Sequence, residues 1–203
     1  MAISKVQICN RGLSRYLGVG RINSLDEATP AAEQCTLHYE DTLRAMLELH
    51  DWTFAQEQDV LAEVTNTLSD VWDYAYQKPA EAMRLSWVNK ASDAHALMDQ
   101  ERDPDTRRRI IGDVIYSDVA EASAGYTTFL DDPTKYSQHF REALSAAIAA
   151  SCAMALTENG RLAQSAAEAA ESLIERAIVH DESLRETREA QLLPDWMRER
   201  GIS

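Results

Sequence analysis

The chain has 203 residues, 45% of them hydrophobic, and a formal net charge of −14. That length gives one domain with a real core, and the acidity opposes DNA affinity, because binding needs Lys and Arg to replace condensed counterions. The longest apolar run falls far short of the roughly 20 residues of a membrane helix, and Lys5, Asn10, Arg11 and Arg15 interrupt the stretch that a signal peptide keeps apolar. The expected place of the chain is the cytoplasm in which it is made.

Ser4 to Leu17 reads as a first helix with a stripe of Val6, Cys9, Leu13, Tyr16 and Leu17, and Gly18 suits its left-handed stop. Gly18-Val19-Gly20 lacks the third glycine and the preceding strand of a nucleotide loop, and reads as a turn. Thr29 can cap a second helix, Pro30 fits its first position, and Glu33 lies near the positive end of its dipole. Ala32, Cys35, Tyr39, Leu43, Met46 and Leu47 recur at three- and four-residue steps, one apolar face of a helix. The period fades at His50-Asp51. Trp52-Thr53-Phe54 is aromatic and β-branched, so the helix is expected to hand the chain directly to a strand.

Trp52 to Val64 reads as extended, although Gln56 to Asp59 also fits a helix. Leu68 to Tyr76 carries Trp72, Tyr74 and Tyr76 at alternating spacing, a strand ended by Lys78-Pro79. Met83, Leu85 and Trp87 alternate with Arg84 and Ser86, a half-buried strand. Residues 91–107 are polar and charged, a long loop or a loop with a short helix. Ile110 to Tyr116 and Ala120 to Phe129 read as two more strands joined near Ser117-Asp118, with Gly112 and Gly125 at bulges or close backbone contacts. Consecutive short strands without intervening helices imply an antiparallel sheet. Asp131-Asp132-Pro133 closes the block, with capping at the turn accounting for its paired carboxylates.

From Thr134 the chain turns helical. Phe140, Leu144, Ile148 and Cys152 step by four, with Ala147 and Ala155 beside them, up to a break at Asn159-Gly160. A second helix carries Leu162, Ala166, Ala169, Leu173, Ala177 and Ile178 on one face. The two make an antiparallel hairpin, rich in alanine, that must pack on the N-terminal helices to bury its apolar surface. The expected fold class is α+β: a helical bundle from about 4–50 and 134–189, a central antiparallel sheet in about 52–130, and a tail from about 190.

The residues offer little site chemistry. Cys9, Cys35 and Cys152 are scattered on predicted helices and read as buried free thiols rather than a disulfide framework. His38, His50, His95, His139 and His180 show no metal-ligand spacing, so no metal is expected. There is no phosphate loop with a lysine and no nucleophile elbow, so neither a cofactor nor a catalytic residue is assigned. Cys35 and His38 are better explained as core and surface positions of one helix. Arg107-Arg108-Arg109 is the one dense basic spot; it either offsets nearby aspartates or contacts a phosphate or an acidic partner. Leu192, Leu193, Trp196 and Met197 form an apolar island in a charged tail, either a frayed end or a docking segment.

Leu25-Asp26-Glu27, the helix with Cys35 and Tyr39, and Trp52-Thr53-Phe54-Ala55 resemble the N-terminal pattern of phage tail tubular protein A and related head-to-tail adaptors. Tyr74-Ala75-Tyr76, Pro79-Ala80 and Arg84 resemble the same family's second block, and with the helical pair the similarity spans roughly residues 5 to 182. The resemblance implies a structural virion protein: a ring below the portal protein, commonly twelve-fold, that extends the DNA channel and presents a platform to the next tail or nozzle protein. Double-stranded DNA would pass without specific binding, no membrane is involved, and the helices would form the ring wall while the sheet faces the tail. The competing expectations are a helical protein–protein interaction domain outside any virion, and an enzyme, against which the missing site motifs weigh.

Overall fold

The computed structural model describes residues 3–91 and 107–192, with side chains to residue 185. The expected loop at 91–107 therefore lies almost wholly outside the described residues, as do Leu193, Trp196 and Met197. The chain is mixed helix and strand, with two small antiparallel sheets and a C-terminal helical hairpin. It divides into two compact units, residues 1–50 with 130–182, and residues 51–129 with 183–203.

The first unit is helical. Helix α1, Lys5–Gly12, opens with a capping box in which Ser4 and Gln7 satisfy each other's backbone N–H groups. It passes into a π-helical turn, Leu13–Leu17, stopped by Gly18 at φ +66°. The wider turn buries both Leu13 and Leu17. Ile8 and Gly12 are buried as well, whereas Val6 and Tyr16 are only half-buried, so the buried face is rotated from the expected stripe. Helix α2, Pro30–Leu49, has Thr29 as its N-cap, accepting from Ala32 N–H at 3.3 Å, and buries the six residues its periodicity picks out.

Helix α3, Gln138–Thr157, starts four residues later than Thr134, because Asp132 holds Thr134 in a turn and Ser137 is the N-cap, accepting from Phe140 N–H at 3.1 Å. Phe140, Leu144, Ile148 and Cys152 are all buried. The alanines beside them that are buried are Ala143, Ala146, Ala149 and Ala153, not Ala147 or Ala155. Helix α3 packs on α1 and α2, as the hairpin's excess apolar surface requires. The approach to α1 is close: a Cβ on Gly12 would stand 2.4 Å from Ser145 O. By length and composition α3 could also cross a membrane, but half of that stretch is buried within the protein. Glu158, at φ +51°, ends α3, and Asn159 caps α4, Gly160–Leu192, accepting from Arg161 and Leu162 N–H. Helix α4 is described as far as Leu192, past the expected end of the helical region near 189.

The second unit is built on strands. Its strands form two three-stranded sheets rather than one: β1 (Gln56–Val60), β6 (Ala122–Thr128) and β3 (Ala82–Lys90), in the order β1-β6-β3, and β2 (Tyr74–Gln77), β5 (Val114–Ser117) and β4 (Arg108–Ile111), in the order β2-β5-β4. Every pairing is antiparallel. Trp52-Thr53-Phe54 is not a strand entry. Trp52 is fully buried and leads a 3-10 turn over Thr53–Ala55. The expected strand Ile110 to Tyr116 is a hairpin, with Gly112 at φ +58° in a two-residue loop between Ile111 and Val114. Glycine is what such a tight loop demands at its first position. Gly125 is the close contact expected of it: the Trp87 ring occupies the space of a Cβ, which would lie 2.3 Å away.

Strands β2 and β5 are covered on both faces, because side chains alternate along them, whereas β4 is exposed. Tyr76 and Ile115 join Leu61, Val88, Ala122 and Ala124 in the core between the sheets. Ala75 and Tyr116 point the other way, onto Trp72, Leu68 and Val64. The stretch from 64 to 73 is therefore a cover with turns; of the expected strand only residues 74–76 pair, and Gln77 extends it.

A candidate interaction surface

The basic run opens β4, and its three arginines divide their work. Arg107 stacks over Trp72, 4.9 Å from the ring centroid, and its Nη1 lies 3.4 Å from Asp118 Oδ2. A cation over an indole face is attracted by the ring quadrupole. Arg108 donates to Ser86 O on β3 at 2.9 Å. Arg109 makes no ion pair with a described residue. Among the described residues the carboxylate paired with the run is thus Asp118, eleven residues after Arg107 and next to β5. Ile110 and Ile111 follow, exposed by 44% and 45% on opposite faces of the same strand.

A second polar centre gathers at Asp51. Its carboxylate accepts from Arg84 Nε at 3.1 Å and from Ser86 Oγ at 2.8 Å. Arg185 of α4 donates to Asp51 O, and Ser86 Oγ also reaches Gln56 Oε1. Arg84 thus holds the chain where it enters the β unit. Tyr76 donates from its hydroxyl to Val119 O at 2.6 Å, and Tyr126 donates to Asp59. Burial pushes the phenols of Tyr76 and Tyr126 up; for Tyr126 the bond to Asp59 adds to the rise.

Two clusters lie in the helical unit that nothing in the sequence spacing announces. The buried free thiols of Cys9, Cys35 and Cys152, one each from α1, α2 and α3, come near enough to influence one another. Interaction with Cys35 and their burial push the thiols of Cys9 and Cys152 up, so both keep their protons near neutrality. Each cysteine lay on an apolar helical face, which was the available hint; only tertiary packing brings them together. His50 Nε2 stands 3.3 Å from the buried Asp181 carboxylate, and His139 stacks on His180 with centroids 4.0 Å apart. Among the described residues no group of three or more His, Cys, Asp or Glu side chains is arranged to hold a metal ion.

Of the residues expected to bind partners, the structure gathers Arg107, Arg108 and Arg109 on one exposed strand edge. Leu192 ends α4, with its side chain beyond those described, and Leu193, Trp196 and Met197 lie outside the described residues. Neither protein-family models nor curated proteins yield a match to this chain.

Proposed function

We propose that this chain is a structural virion protein, a head-to-tail adaptor that forms a ring below the phage portal. In this reading it is made in the bacterial host cytoplasm and ends at the head–tail junction. The ring, commonly twelve-fold in the family it resembles, extends the DNA channel and offers the docking platform for the tail or nozzle protein. The observation that carries the reading is the pair of blocks Leu25 to Ala55 and Tyr74 to Arg84. Their members hold structural posts in this chain: Leu25 O accepts from Thr36, Cys35, Tyr39 and Trp52 are buried, and Arg84 fixes Asp51. In the finer version of the fold, the helical unit makes the wall and the β unit is an insertion facing the tail.

The charge supports the role. A wall with a net charge of −14 per copy repels passing DNA, whereas a tight-binding wall would stall it. The apolar island Leu192, Leu193, Trp196 and Met197 is the second docking element of this reading, since a tryptophan is a frequent interface anchor. The test is particle size, by native mass spectrometry and negative-stain imaging, with and without a cognate portal. A ring on the portal is expected. A chain that never binds portal would leave only an interaction domain outside any virion. A version ending at Leu192 keeps the whole described helix and should assemble poorly.

A further inference from the structure

Of the four edge strands of the two sheets, β1 and β4 have opposite chemistry. Among the described residues β1 has only β6 as a neighbouring strand, and β4 has only β5. They bound opposite sides of the unit. The chain after β1 runs beside β2, where Gln77 N–H donates to Ala62 O and Val64 N–H to Ala75 O, both at 2.9 Å. On the other side, β4 lies beside β3 through the Arg108 bond to Ser86 O. Strand β1 reads Gln-Glu-Gln-Asp-Val, and four of its five residues are exposed, Val60 by 72%. Strand β4 reads Arg-Arg-Ile-Ile and is exposed throughout. Next to β1 lies an open groove of about 500 Å³ with apolar lining from Val60, Leu61, Pro79 and Ala80 and carboxylates from Asp59 and Asp113; its one cation is Lys78.

An exposed edge strand with two adjacent isoleucines is a template for pairing with another chain. We propose that β4 of one copy of this chain pairs with the outer edge of β1 of a second copy, head to tail, and sets its isoleucines against Val60 and the groove. Charge selects this occupant. Copies of so acidic a chain repel one another in general. Residues 107–109 are its one dense basic spot, and Arg109 is uncommitted among the described residues. Glu57 and Asp59 lie on β1 itself. The two strands also match in length, four residues against five. Because donor and acceptor lie on opposite sides of one unit, every copy in a chain of contacts keeps one of each. Such a heterologous contact closes into a ring when its rotation closes, and otherwise runs on as a filament. The joint rests on the ring reading above, for which it names the contact between neighbouring subunits.

The test uses charge reversal on the full chain, read as assembly mass by analytical ultracentrifugation with and without portal. Glu57→Arg and Arg109→Glu are exposed changes, and circular dichroism controls for folding. Each alone should weaken association by about tenfold or more, and the double variant should recover it, as expected for one close charge pair. In a second arm, Val60→Cys and Ile110→Cys together, on the face opposite the Glu57–Arg109 pair, should give a ladder of covalent oligomers under copper-phenanthroline oxidation, which joins the two thiols as a disulfide and releases two protons and two electrons to the oxidant. Either cysteine alone should give no ladder. Assemblies that ignore both reversals and give no ladder overturn the joint while leaving the ring reading intact. Covalent dimers from Ile110→Cys alone mean two-fold pairing and overturn it too. Loss of portal binding with self-association unchanged makes portal, not a second copy, the occupant of β4. Monomers under every condition sink both the joint and the ring. The joint confirmed without any binding to portal leaves the joint standing and removes the virion reading.

Discussion

Gly12→Ala sets two effects of opposite sign against each other. Glycine at the end of α1 adopts ordinary helical angles, φ −60° and ψ −56°, so alanine fits the backbone without strain. On that ground alone the substitution should stabilise by about 0.5–1 kcal/mol. Against it, the new methyl would stand 2.4 Å from the backbone oxygen of Ser145 and 3.4 Å from the Ala149 methyl. A backbone oxygen inside α3 cannot rotate away, so the helices must separate by several tenths of an ångström. Overpacking of this kind costs about 1–3 kcal/mol, and a contact this short belongs at the upper end. The net expectation is a loss of about 2 kcal/mol, or a melting temperature lower by about 4–8 °C for a chain of this size. Gly20→Ala is the control, because nothing lies within 4 Å of its Cβ position. Differential scanning calorimetry of the two variants reads the difference directly. A Gly12→Ala protein that melts at or above the parent temperature would refute the close approach of α1 to α3.

Leu144 is fully buried on α3, and Leu144→Ala should cost about 2–5 kcal/mol through the cavity it leaves, with a melting shift too small to measure removing it from the core. Burial holds the phenols of Tyr39 and Tyr136 above the ordinary tyrosine range, so their contribution to stability is complete below about pH 10 and is lost as pH rises beyond it. Alkaline denaturation followed by tyrosinate absorbance should therefore show these two ionising with unfolding; ionisation near pH 10 in the folded state would contradict their burial. Gly112→Ala should destabilise by about 1–2 kcal/mol, since φ +58° is strained for any side chain, and urea titration resolves a loss of that size. Gel shift at about 0.1 M salt should find no specific complex with double-stranded DNA, and submicromolar binding would contradict a repulsive channel wall.

Helix α2 was legible because its signals are local. A capping threonine, a proline at the first turn and an unbroken apolar face all act within a few residues, and tertiary packing agrees with each. The β unit was less legible. The Trp72, Tyr74 and Tyr76 alternation suggested one strand, yet Trp72 belongs to a cover over the outer face of the sheet and only Tyr74 and Tyr76 pair. The run Ile110 to Tyr116 hid a hairpin, although Gly112-Asp113 is turn chemistry and was the available clue. Density of charge at Arg107 to Arg109 could be read directly. That Asp118 and Trp72 engage Arg107 and leave Arg109 outward depends on strand register, which composition does not carry. The meeting of Cys9, Cys35 and Cys152 depends in the same way on the packing of three helices far apart in the chain.

The helical unit is discontinuous in sequence, and this orders events during synthesis. Residues 51–129, the bulk of the β unit, are contiguous and leave the ribosome before any of α3 exists. Their six strands can pair on their own schedule. Helices α1 and α2 emerge first but cannot bury their apolar faces, because the partner that covers Cys9, Gly12 and Cys35 is more than a hundred residues behind them. Until α3 arrives, the nascent chain displays the faces of two amphipathic helices with nothing to receive them. Such long-range closure is slow and exposes surfaces prone to aggregation. A nascent chain stalled before Gln138 should consequently be the species most dependent on chaperones, and release from them should follow the synthesis of α3.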